Sequence, residues 1–585
     1  MHDRPLPETT LELTTPMAAP HWALLERQLM AALPEAIEEF YAKYFDERGY
    51  LLCYPRWGAL DGPDDAAENV TGWTELYALG GPERVLELYR QGIEGHMRQY
   101  TEARTVECPL ARDGMYYREF PTSFDFVHNA EGFHGLFQQG LAEPWDPTYQ
   151  ARMRRYAGFY MDEDPGAANY DQKHRLIRSV MTGSRGPVLR RTTPVDWGGD
   201  PFECEGRFTP LRWHRTWQDY VDHFSIYQDV TGDTPCNLAV TVMALNAYLC
   251  TGEAKYRDWI LEYADAWVER ADENGGIMPS NVGLDGTIGG GTGGRWWGAV
   301  YGWDHKAYFR SLAPYGFGNA LLVSGDRRYV DVWRRNIQAV SAHAKEIDGT
   351  LQYPQKHGDD GWYEFSPDPY DHGALEIFYW SMDERDRTLA RRSPWGAYLS
   401  GDDPDYPVTA LSGELAALRE TVQRMRDDTT TPDTRLSESM NSMNPGACIW
   451  RLVELMLGGL PSRHIGVAWH TRVRYFDLDR GRPGIPEDVA SLVDSMSGDE
   501  VTVTLVNLSP VRRHALVLQA GAYAEHQFTA VQVDGSATSL DESAVTVRLA
   551  PGAGARLTLK MKRYANQPTH AFPGIGRPLS RTAAG

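Results

Sequence analysis

Apolar residues recur every three to four positions through much of the first 470 residues. The clearest segment begins at Cys236 and reads CNLAVTVMALNAYLCTGEAKYRDWILEYADAWVERA, with this spacing on both sides of a short TGE turn. Such spacing places apolar side chains on one face of a helix. The segment therefore predicts two antiparallel helices joined by a tight turn.

The helix pair is repeated along the chain. Its turn reads TGEAKY at Thr251 and SGDRRY at Ser324, and looser copies lie near Leu79, Leu141 and Trp450. Repeated helix pairs must bury their faces against neighbouring pairs. Here the connectors are long and rich in glycine and aromatic residues, unlike the short connectors of open helical superhelices. The pattern predicts a closed ring of about six helix pairs, with the long loops gathered at one end.

The pattern changes to a period of two beyond residue 499, where segments such as EVTVTLVNLS and ARLTLKMKRY alternate apolar and polar residues. This alternation is typical of strands with one buried face. The predicted fold class is therefore mainly α, an (α/α)6 toroid followed by a small antiparallel β-sandwich. The predicted division is a leader (1–20), the toroid (21–470), a linker (471–498), the β-sandwich (499–563) and a tail (564–585).

Charge and composition exclude several classes of function. The net charge of the 585 residues is −22, and the sequence has no basic stripe of the kind that binds nucleic acid. It has no apolar run of 18 residues, so we predict no membrane partner. The first residues lack a secretory signal, which predicts a cytoplasmic location for this form of the chain. The six cysteines form no C-x-x-C pair and are predicted to be small buried residues in a reducing compartment.

A glycine-rich connector carries the densest aromatic cluster, GGGTGGRWWGAVYGWDHKAYF, from Gly289 to Phe309. Tryptophan offers a flat apolar face with an N–H group, and sugar rings stack on such faces. The loop supplies candidate binding residues (Arg295, Trp296, Trp297, Trp303) and a candidate proton-transfer set (Tyr301, Asp304, His305). In the alternative interpretation the tryptophans fill the mouth of the ring, and Asp304 and His305 only form a capping hydrogen bond.

A second candidate site lies in REFPTSFDFVHNAEGFHGLF, where Asp125, His128, Glu131 and His134 are three residues apart. Neighbours at this spacing share a helix face, and carboxylates beside a histidine suit acid–base chemistry. The run lacks the H-E-x-x-H arrangement of zinc proteases, so we predict no metal and no cofactor. The alternative is a hydrogen-bonded network on an inner helix.

Two further connectors carry candidate residues. The segment QKHGDDGWYEFSPDPYDHG places Glu364 among aromatic residues, an environment that raises a carboxyl pKa. The same segment contributes Trp362 as a binding residue and Asp371 and His372 as catalytic candidates, although Asp371 is also suited to capping the next helix. In ESMNSMNPGACIW, Asn441 and Asn444 are predicted to hydrogen-bond sugar hydroxyls, or to mark a helix start.

With its TGEAKY and SGDRRY hairpins, aromatic loops and EVTVTLVNLSP strands, the chain resembles the α/α-toroid carbohydrate-active enzymes. In these glycoside hydrolases and polysaccharide lyases, an (α/α)6 barrel precedes a β-sandwich. The resemblance is architectural and covers most of the chain. It matches no diagnostic motif, so it assigns no catalytic residue by position.

The resemblance and the loops together predict an enzyme that cleaves a glycosidic bond of an oligo- or polysaccharide. Hydrolysis needs two carboxylates, and the candidate pair is Asp125 or Glu131 with Asp304, Glu364 or Asp371. The first alternative is a polysaccharide lyase, with Tyr301 or a histidine as the base and Arg295 neutralising a uronate. The second alternative is a non-catalytic carbohydrate-binding protein.

Overall fold

The computed structural model describes residues 4–53, 63–103, 112, 114–198, 215–305, 309–460 and 465–574, apart from the side chains at positions 311 and 438. Twelve helices in this part of the chain form a double ring. In chain order they are α1 (His21–Tyr44), α2 (Trp73–Leu79), α3 (Glu83–Glu102), α4 (His134–Ala142), α5 (Pro147–Gly158), α6 (Thr241–Thr251), α7 (Ala254–Glu273), α8 (Phe309–Ser324), α9 (Arg328–Ser341), α10 (Ala374–Ser381), α11 (Tyr406–Asp427) and α12 (Trp450–Leu457).

Burial separates the even-numbered inner helices from the odd-numbered outer ones. All residues of α2 are buried, and α6 is buried from Thr241 to Cys250. Outer helix α1 buries Leu29, Leu33 and Ile37 on one face, at the spacing seen in the sequence. The ring closes because α11, the last outer helix, packs against α1. The mainly helical fold is therefore confirmed.

The connectors differ in length according to the end of the ring on which they lie. Links from an inner helix to the next outer helix are short in four cases, residues 80–82, 143–146, 252–253 and 325–327. Links from an outer helix to the next inner helix are long: residues 45–72, 103–133, 159–240, 274–308, 342–373 and 428–449. Inner and outer helices run in opposite directions, so the long connectors emerge at one end, which we call the loop face.

The long connectors contain short elements of their own. Their α-helices are Asp64–Ala67, Phe126–Gly132, Pro194–Gly198, Trp217–Phe224 and Glu438–Asn441, and two more, Glu384–Ala390 and Pro394–Leu399, link α10 to α11. Short 3-10 helices are Glu68–Val70, Ser225–Tyr227, Pro235–Val240, Gly290–Thr292 and Pro445–Ile449. Five pairs of short strands are Tyr116–Tyr117 with Phe120–Pro121, Phe124–Asp125 with Met181–Thr182, Tyr170–Asp171 with Leu176–Ile177, Lys345–Ile347 with Thr350–Gln352, and Lys356–Gly358 with Gly361–Tyr363.

Ten strands build two five-stranded sheets, mostly from the C-terminal part of the chain. They are β1 (Thr10–Leu13), β2 (Val473–Asp477), β3 (Arg482–Pro483), β4 (Val489–Met496), β5 (Glu500–Asn507), β6 (His514–Ala520), β7 (Gln527–Val533), β8 (Ser536–Glu542), β9 (Ala544–Leu549) and β10 (Gly554–Lys562). The strand orders are β1-β9-β6-β2-β3 and β4-β5-β10-β7-β8. Neighbouring strands are antiparallel except β1 and β9, which are parallel. That the two sheets pack as a sandwich stays a prediction.

The structure places the β region over a wider part of the chain than the sequence analysis does. Residues 471–498, predicted as a linker, contain β2, β3 and β4. The predicted leader contributes β1, which pairs with β9 from Thr10 to Leu13. The predicted tail is also anchored, because the backbone N–H of His570 donates to the carbonyl of Leu249.

Arginines of the β region donate to carbonyls near the C-terminal ends of inner helices. Arg474 donates to the carbonyl of Leu141 at 2.5 Å, and Arg482 donates to that of Tyr77 at 2.9 Å. The C-terminal end of a helix carries partial negative charge, which cations stabilise. The sheets therefore cover the end of the ring opposite the loop face, which leaves the loop face as the end for chemistry.

Two sequence predictions concern composition rather than architecture. Within the described ranges, no helix has both the length and the apolar character needed to cross a bilayer. The described cysteines Cys53, Cys236, Cys250 and Cys448 are buried free thiols. Cys108 and Cys204 lie outside the described residues.

Candidate active site

Two short helices of the loop face contact each other. The helix Phe126–Gly132 packs against the helix Asp64–Ala67. Gly132 permits this approach, because a Cβ atom there would lie 2.9 Å from the Cα of Asp64. The first helix begins at Asp125, whose Oδ1 accepts the backbone N–H groups of Val127 at 3.1 Å and of His128 at 3.3 Å.

Asp125 also holds the side chains of His128 and Tyr301. Its Oδ2 lies 2.5 Å from Nδ1 of His128, and its Oδ1 accepts the hydroxyl of Tyr301 at 3.1 Å. The Asp125 side chain is fully buried. When Nδ1 of His128 donates to Asp125, any proton transfer by the imidazole takes place at Nε2. Asp125 thus holds His128 and Tyr301 in place, and its membership of the catalytic carboxylate pair stays a prediction.

Asp64, His128 and Glu131 form the centre of the candidate site. We call these three residues, together with Asp125, the central cluster. One oxygen or ring nitrogen atom of each of the three side chains lies within 4.8 Å of the corresponding atoms of the other two. Asp64 is 2 % exposed, whereas His128 and Glu131 are partly exposed. Two carboxylates and an imidazole at this spacing supply groups for both acid and base catalysis.

Asp64 was missed by the sequence analysis. It lies 61 positions before Asp125 in the chain, so no local spacing connects the two. The available signal was the pair of consecutive aspartates, Asp64 and Asp65, which follows Gly-Pro in the sequence and opens a helix.

His134 does not share a face with the other residues of its run. The helix breaks at Phe133, and His134 begins α4. Its Nε2 lies 3.0 Å from Glu75, while its Nδ1 accepts the backbone N–H of Gly466 at 3.1 Å. Glu75 also accepts from the indole of Trp469 at 2.8 Å. Because Nδ1 accepts a backbone N–H, His134 faces Glu75 through Nε2, and the group forms a hydrogen-bonded network within the ring.

Tyr301 joins the glycine-rich connector to the central cluster. It is 2 % exposed and adopts a positive φ of 61°, an uncommon conformation for a residue with a side chain. Burial, together with the nearby charge of Asp125, holds the pKa of Tyr301 well above its usual value. The phenol donates to Asp125, and its role as the base of a lyase stays a prediction.

Three tryptophans and a histidine form an aromatic shelf on the loop face: Trp296, Trp297, His357 and Trp362. The rings of Trp296, Trp297 and Trp362 lie 4.6, 4.8 and 4.9 Å from that of His357. All four side chains are partly exposed. The shelf thus presents aromatic faces to solvent on the loop face.

Trp303 does not belong to the exposed part of the shelf. It is fully buried, and its indole donates to the carbonyl of Met278 at 2.7 Å. Its ring lies 5.4 Å from that of Trp362. The prediction that Trp303 contacts a ligand is therefore wrong, because its surface is covered by the protein core.

The remaining candidates of the glycine-rich connector are Arg295, Asp304 and His305. Asp304 is exposed, and partial burial of its carboxyl raises its pKa. His305 lies 6.1 Å from the ring of Tyr227, which in turn contacts Tyr301 at 5.5 Å. Arg295 is exposed, and its guanidinium donates to the carbonyl of Thr292 at 3.1 Å. Their roles in binding and catalysis stay predictions.

Glu364 lies in a different environment from the one that the sequence predicts. It is exposed and pairs with Lys356 at 2.8 Å, so it has neither the apolar surroundings nor the burial expected of a general acid.

Asp371 and His372 lie at a separate cavity of about 610 Å³. Asp371 pairs with Arg392 at 3.1 Å. It does not cap α10, whose N-cap residue is Gly373. No contact described in the structure joins this cavity to the central cluster.

The two asparagines have different surroundings. Asn441 is partly exposed and donates to Glu68 at 2.5 Å, close to Asp64 in the chain. Asn444 is buried, and its side chain binds the indole of Trp73 and the backbone of Thr71 and Gly446. Asn444 is therefore a structural residue, and its predicted contact with sugar hydroxyls is wrong.

Comparison with known proteins gives a family but no activity. The family model described as a domain of unknown function, DUF8034, matches residues 10–352. No curated protein matches the chain.

Solved structures that resemble the chain are carbohydrate-active enzymes, the class that the sequence also resembles. An inactive variant of an α-1,6-mannanase of Salegentibacter sp. HEL1_6, in complex with α-1,6-mannotriose, is 14% identical, with a TM-score of 0.31, and 72% of this chain covers 99% of it. A D-mannose isomerase is 12% identical, with a TM-score of 0.37 and coverage of 75% and 100%. A family 76 mannosidase of Bacteroides thetaiotaomicron VPI-5482 is 12% identical, with a TM-score of 0.34 and coverage of 73% and 99%.

Proposed function

The chain belongs to the DUF8034 family, whose description states no activity, and from its site we propose a carbohydrate-active enzyme that hydrolyses a glycosidic bond. The observation that carries this proposal is the central cluster on the loop face. Asp64, His128 and Glu131 lie within reach of one another, and Asp125 holds His128 in one orientation. A protein that only binds carbohydrate needs no such set of proton-transfer groups.

The cluster supplies the two kinds of group that glycoside cleavage requires. One carboxyl must protonate the leaving oxygen, and a second must act as base or nucleophile. Glu131 is partly exposed and so can meet a substrate, while Asp64 is nearly buried. One oxygen of each carboxylate lies within 4.8 Å of one oxygen of the other, which is closer than the 6.5–9.5 Å that an inverting mechanism leaves for water. The spacing favours retention of configuration.

The aromatic shelf supplies the binding surface. Trp296, Trp297 and Trp362 are partly exposed, as stacking against a sugar ring requires. The shelf and the cluster are linked by the connector that carries both Trp297 and Tyr301, the latter bound to Asp125. A sugar stacked on the shelf would therefore lie on the same face of the ring as the carboxylates.

A screen of product formation tests this function. The full chain is incubated with a panel of neutral and acidic oligo- and polysaccharides, and new reducing ends and product masses are measured. We expect reducing ends to appear on at least one glycan and to be lost in the Asp64→Asn variant. Absence of any product across the panel would contradict the proposal, and an unsaturated uronate product would assign the chain to the lyases.

A second function, a sugar isomerase or epimerase, is favoured by one observation. The contact between Asp125 and Nδ1 of His128 leaves Nε2 as a base, and a histidine base suits proton abstraction beside a carbonyl. Such an enzyme would act on a free reducing sugar without changing its mass. Conversion of a monosaccharide or disaccharide to an isomer, detected by chromatography, would replace hydrolysis with this reaction.

A further inference from the structure

Asp64, His128 and Glu131 offer the donor atoms of a metal site as well as proton-transfer groups. Each contributes one ligand atom, and the three atoms lie within 4.8 Å of one another. Ligands bound at about 2.0–2.2 Å to one ion are at most about 4.4 Å apart. A rearrangement of a few tenths of an ångström would therefore bring all three within bonding distance of a single ion.

The sequence pattern offers His134 as the third ligand, but the folded chain does not place it with His128 and Glu131. The H-x-x-E-x-x-H run offers His134, which the structure instead places in the buried network with Glu75 and Gly466. The structure brings Asp64 to His128 and Glu131 from a different connector. The absence of the H-E-x-x-H arrangement from the run therefore does not exclude a metal site in the folded chain.

Asp125 prepares His128 for this role. A histidine that binds a metal usually donates its other ring N–H to a carboxylate, which fixes the ring and raises the basicity of the ligating nitrogen. Oδ2 of Asp125 lies 2.5 Å from Nδ1 of His128, and Oδ1 is held by the backbone and by Tyr301. The imidazole is thus oriented by a carboxylate that is itself held in place.

We propose that Asp64, His128 and Glu131 bind one divalent transition-metal cation. Two carboxylates and a neutral imidazole carry a charge of −2, which a divalent cation neutralises. A mixed oxygen and nitrogen donor set suits Mn²⁺, Fe²⁺ or Zn²⁺, whereas Ca²⁺ and Mg²⁺ prefer oxygen donors alone. With the ion in place, these side chains act as ligands, and the ion supplies the activation of water or of a sugar oxygen.

This inference goes beyond the proposed function and is tested separately. The full chain is stripped with EDTA, dialysed against Mn²⁺ or Zn²⁺, and its metal content is measured by mass spectrometry. We expect about one ion per chain, with affinity reduced at least about 10-fold in Glu131→Gln and about 10–100-fold in Asp125→Asn, which touches only the orienting carboxylate. The exposed Glu364→Gln variant is the matched control and should bind as the wild type does.

The spectrum of bound Mn²⁺ gives a second readout that does not depend on enzymatic activity. Pulsed electron paramagnetic resonance should show coupling to one histidine nitrogen in the wild type, and the coupling should disappear in a folded His128→Gln variant. A wild-type spectrum without nitrogen coupling, or binding unchanged by the cluster variants, would overturn the metal site. If the stripped chain still cleaves a glycan and binds no ion, the metal site fails and the proposed function stands. If the chain binds an ion but cleaves no glycan, the metal site stands and the proposed function fails.

Discussion

Asp125 shows how one side chain can determine the state of another. It accepts the hydroxyl of Tyr301 and lies 2.5 Å from Nδ1 of His128. We expect Asp125→Asn to lower the turnover number about 10²-fold or more with little change in KM, because an amide can present an N–H to Nδ1 and reverse the tautomer. Steady-state kinetics on a cleaved glycan measure this effect.

Tyr301→Phe serves as the milder comparison for Asp125→Asn, because it removes one donor to Asp125 and leaves the His128 contact intact. A smaller loss, about 10-fold, is expected. An Asp125→Asn variant with the turnover of the wild type would show that the orientation of His128 has no part in the reaction.

Two tryptophans of one connector should respond differently to truncation. Trp303 is fully buried, so Trp303→Ala should destabilise the fold by about 3–5 kcal/mol. Trp296 is partly exposed on the shelf, so Trp296→Ala should weaken glycan binding with a much smaller effect on stability. Thermal unfolding and the KM of the two variants distinguish the roles. Equal loss of stability in both would mean that the shelf is part of the core.

The local part of the site could be predicted from sequence, and the rest depends on tertiary contacts. Asp125, His128 and Glu131 were found because their three-residue spacing lies within one helical segment. Asp64 comes from another connector, and its approach depends on Gly132. The burial of Trp303 and the separation of His134 follow from packing, which the composition of a loop does not reveal.

At the scale of elements, α1 carries an acidic residue into the contact with β4. Burial raises the pKa of Glu26 to about 8, above its ordinary value of about 4.3. Its Oε1 accepts the backbone N–H of Ser491 at 3.3 Å. Between these two pKa values the folded chain holds more protons than the unfolded chain, so this group makes stability fall as pH rises.

The Glu26→Gln variant should remove this dependence, since the neutral amide keeps the oxygen that accepts from Ser491. We expect the variant to melt at a higher temperature than the wild type at pH 8 and to lose this advantage at about pH 4, where Glu26 is protonated. Melting curves across this range measure the difference. A constant difference in Tm at both pH values would show that Glu26 does not titrate with folding.

The helices were easier to predict than the strands for a physical reason. Outer helices such as α1 keep one face exposed, so their apolar residues follow the helical period. Strand β2 is buried at all five positions, from Val473 to Asp477, and so shows no alternation of apolar and polar residues. Strand β1 is short and depends on pairing with β9. These strands were therefore assigned to a linker and a leader.

In the whole molecule, the two ends of the ring differ: the β region covers one end, and the candidate site lies at the other. Arg474 donates to the carbonyls of Leu141 and Ala522, and burial lowers its pKa to about 9. Arg474→Ala should destabilise the chain by about 2 kcal/mol or more, since it leaves buried carbonyls without their charged donor. Activity per folded molecule should be unchanged, because the site lies at the opposite end. A large loss of activity in a fully folded variant would contradict this separation of ends.

The closed ring also explains why the site could be located before its residues were known. Long connectors follow each outer helix, and they collect on the loop face, where both the shelf and the central cluster lie. Loops of such length in a compact domain are usually functional. The repeat of helix pairs thus predicted that the long loops gather at one end, whereas the residues that form the candidate site there required the structure.

The central claim, that the cluster at the loop face catalyses glycoside cleavage, is tested most directly by one comparison of rates. Release of reducing ends is measured for the wild type, Glu131→Gln and Glu364→Gln under identical conditions. We expect a loss of at least about 10²-fold in Glu131→Gln, since a positioned proton-transfer group contributes about 10²–10⁴-fold, and a rate near that of the wild type in Glu364→Gln. A fully active Glu131→Gln variant would contradict it.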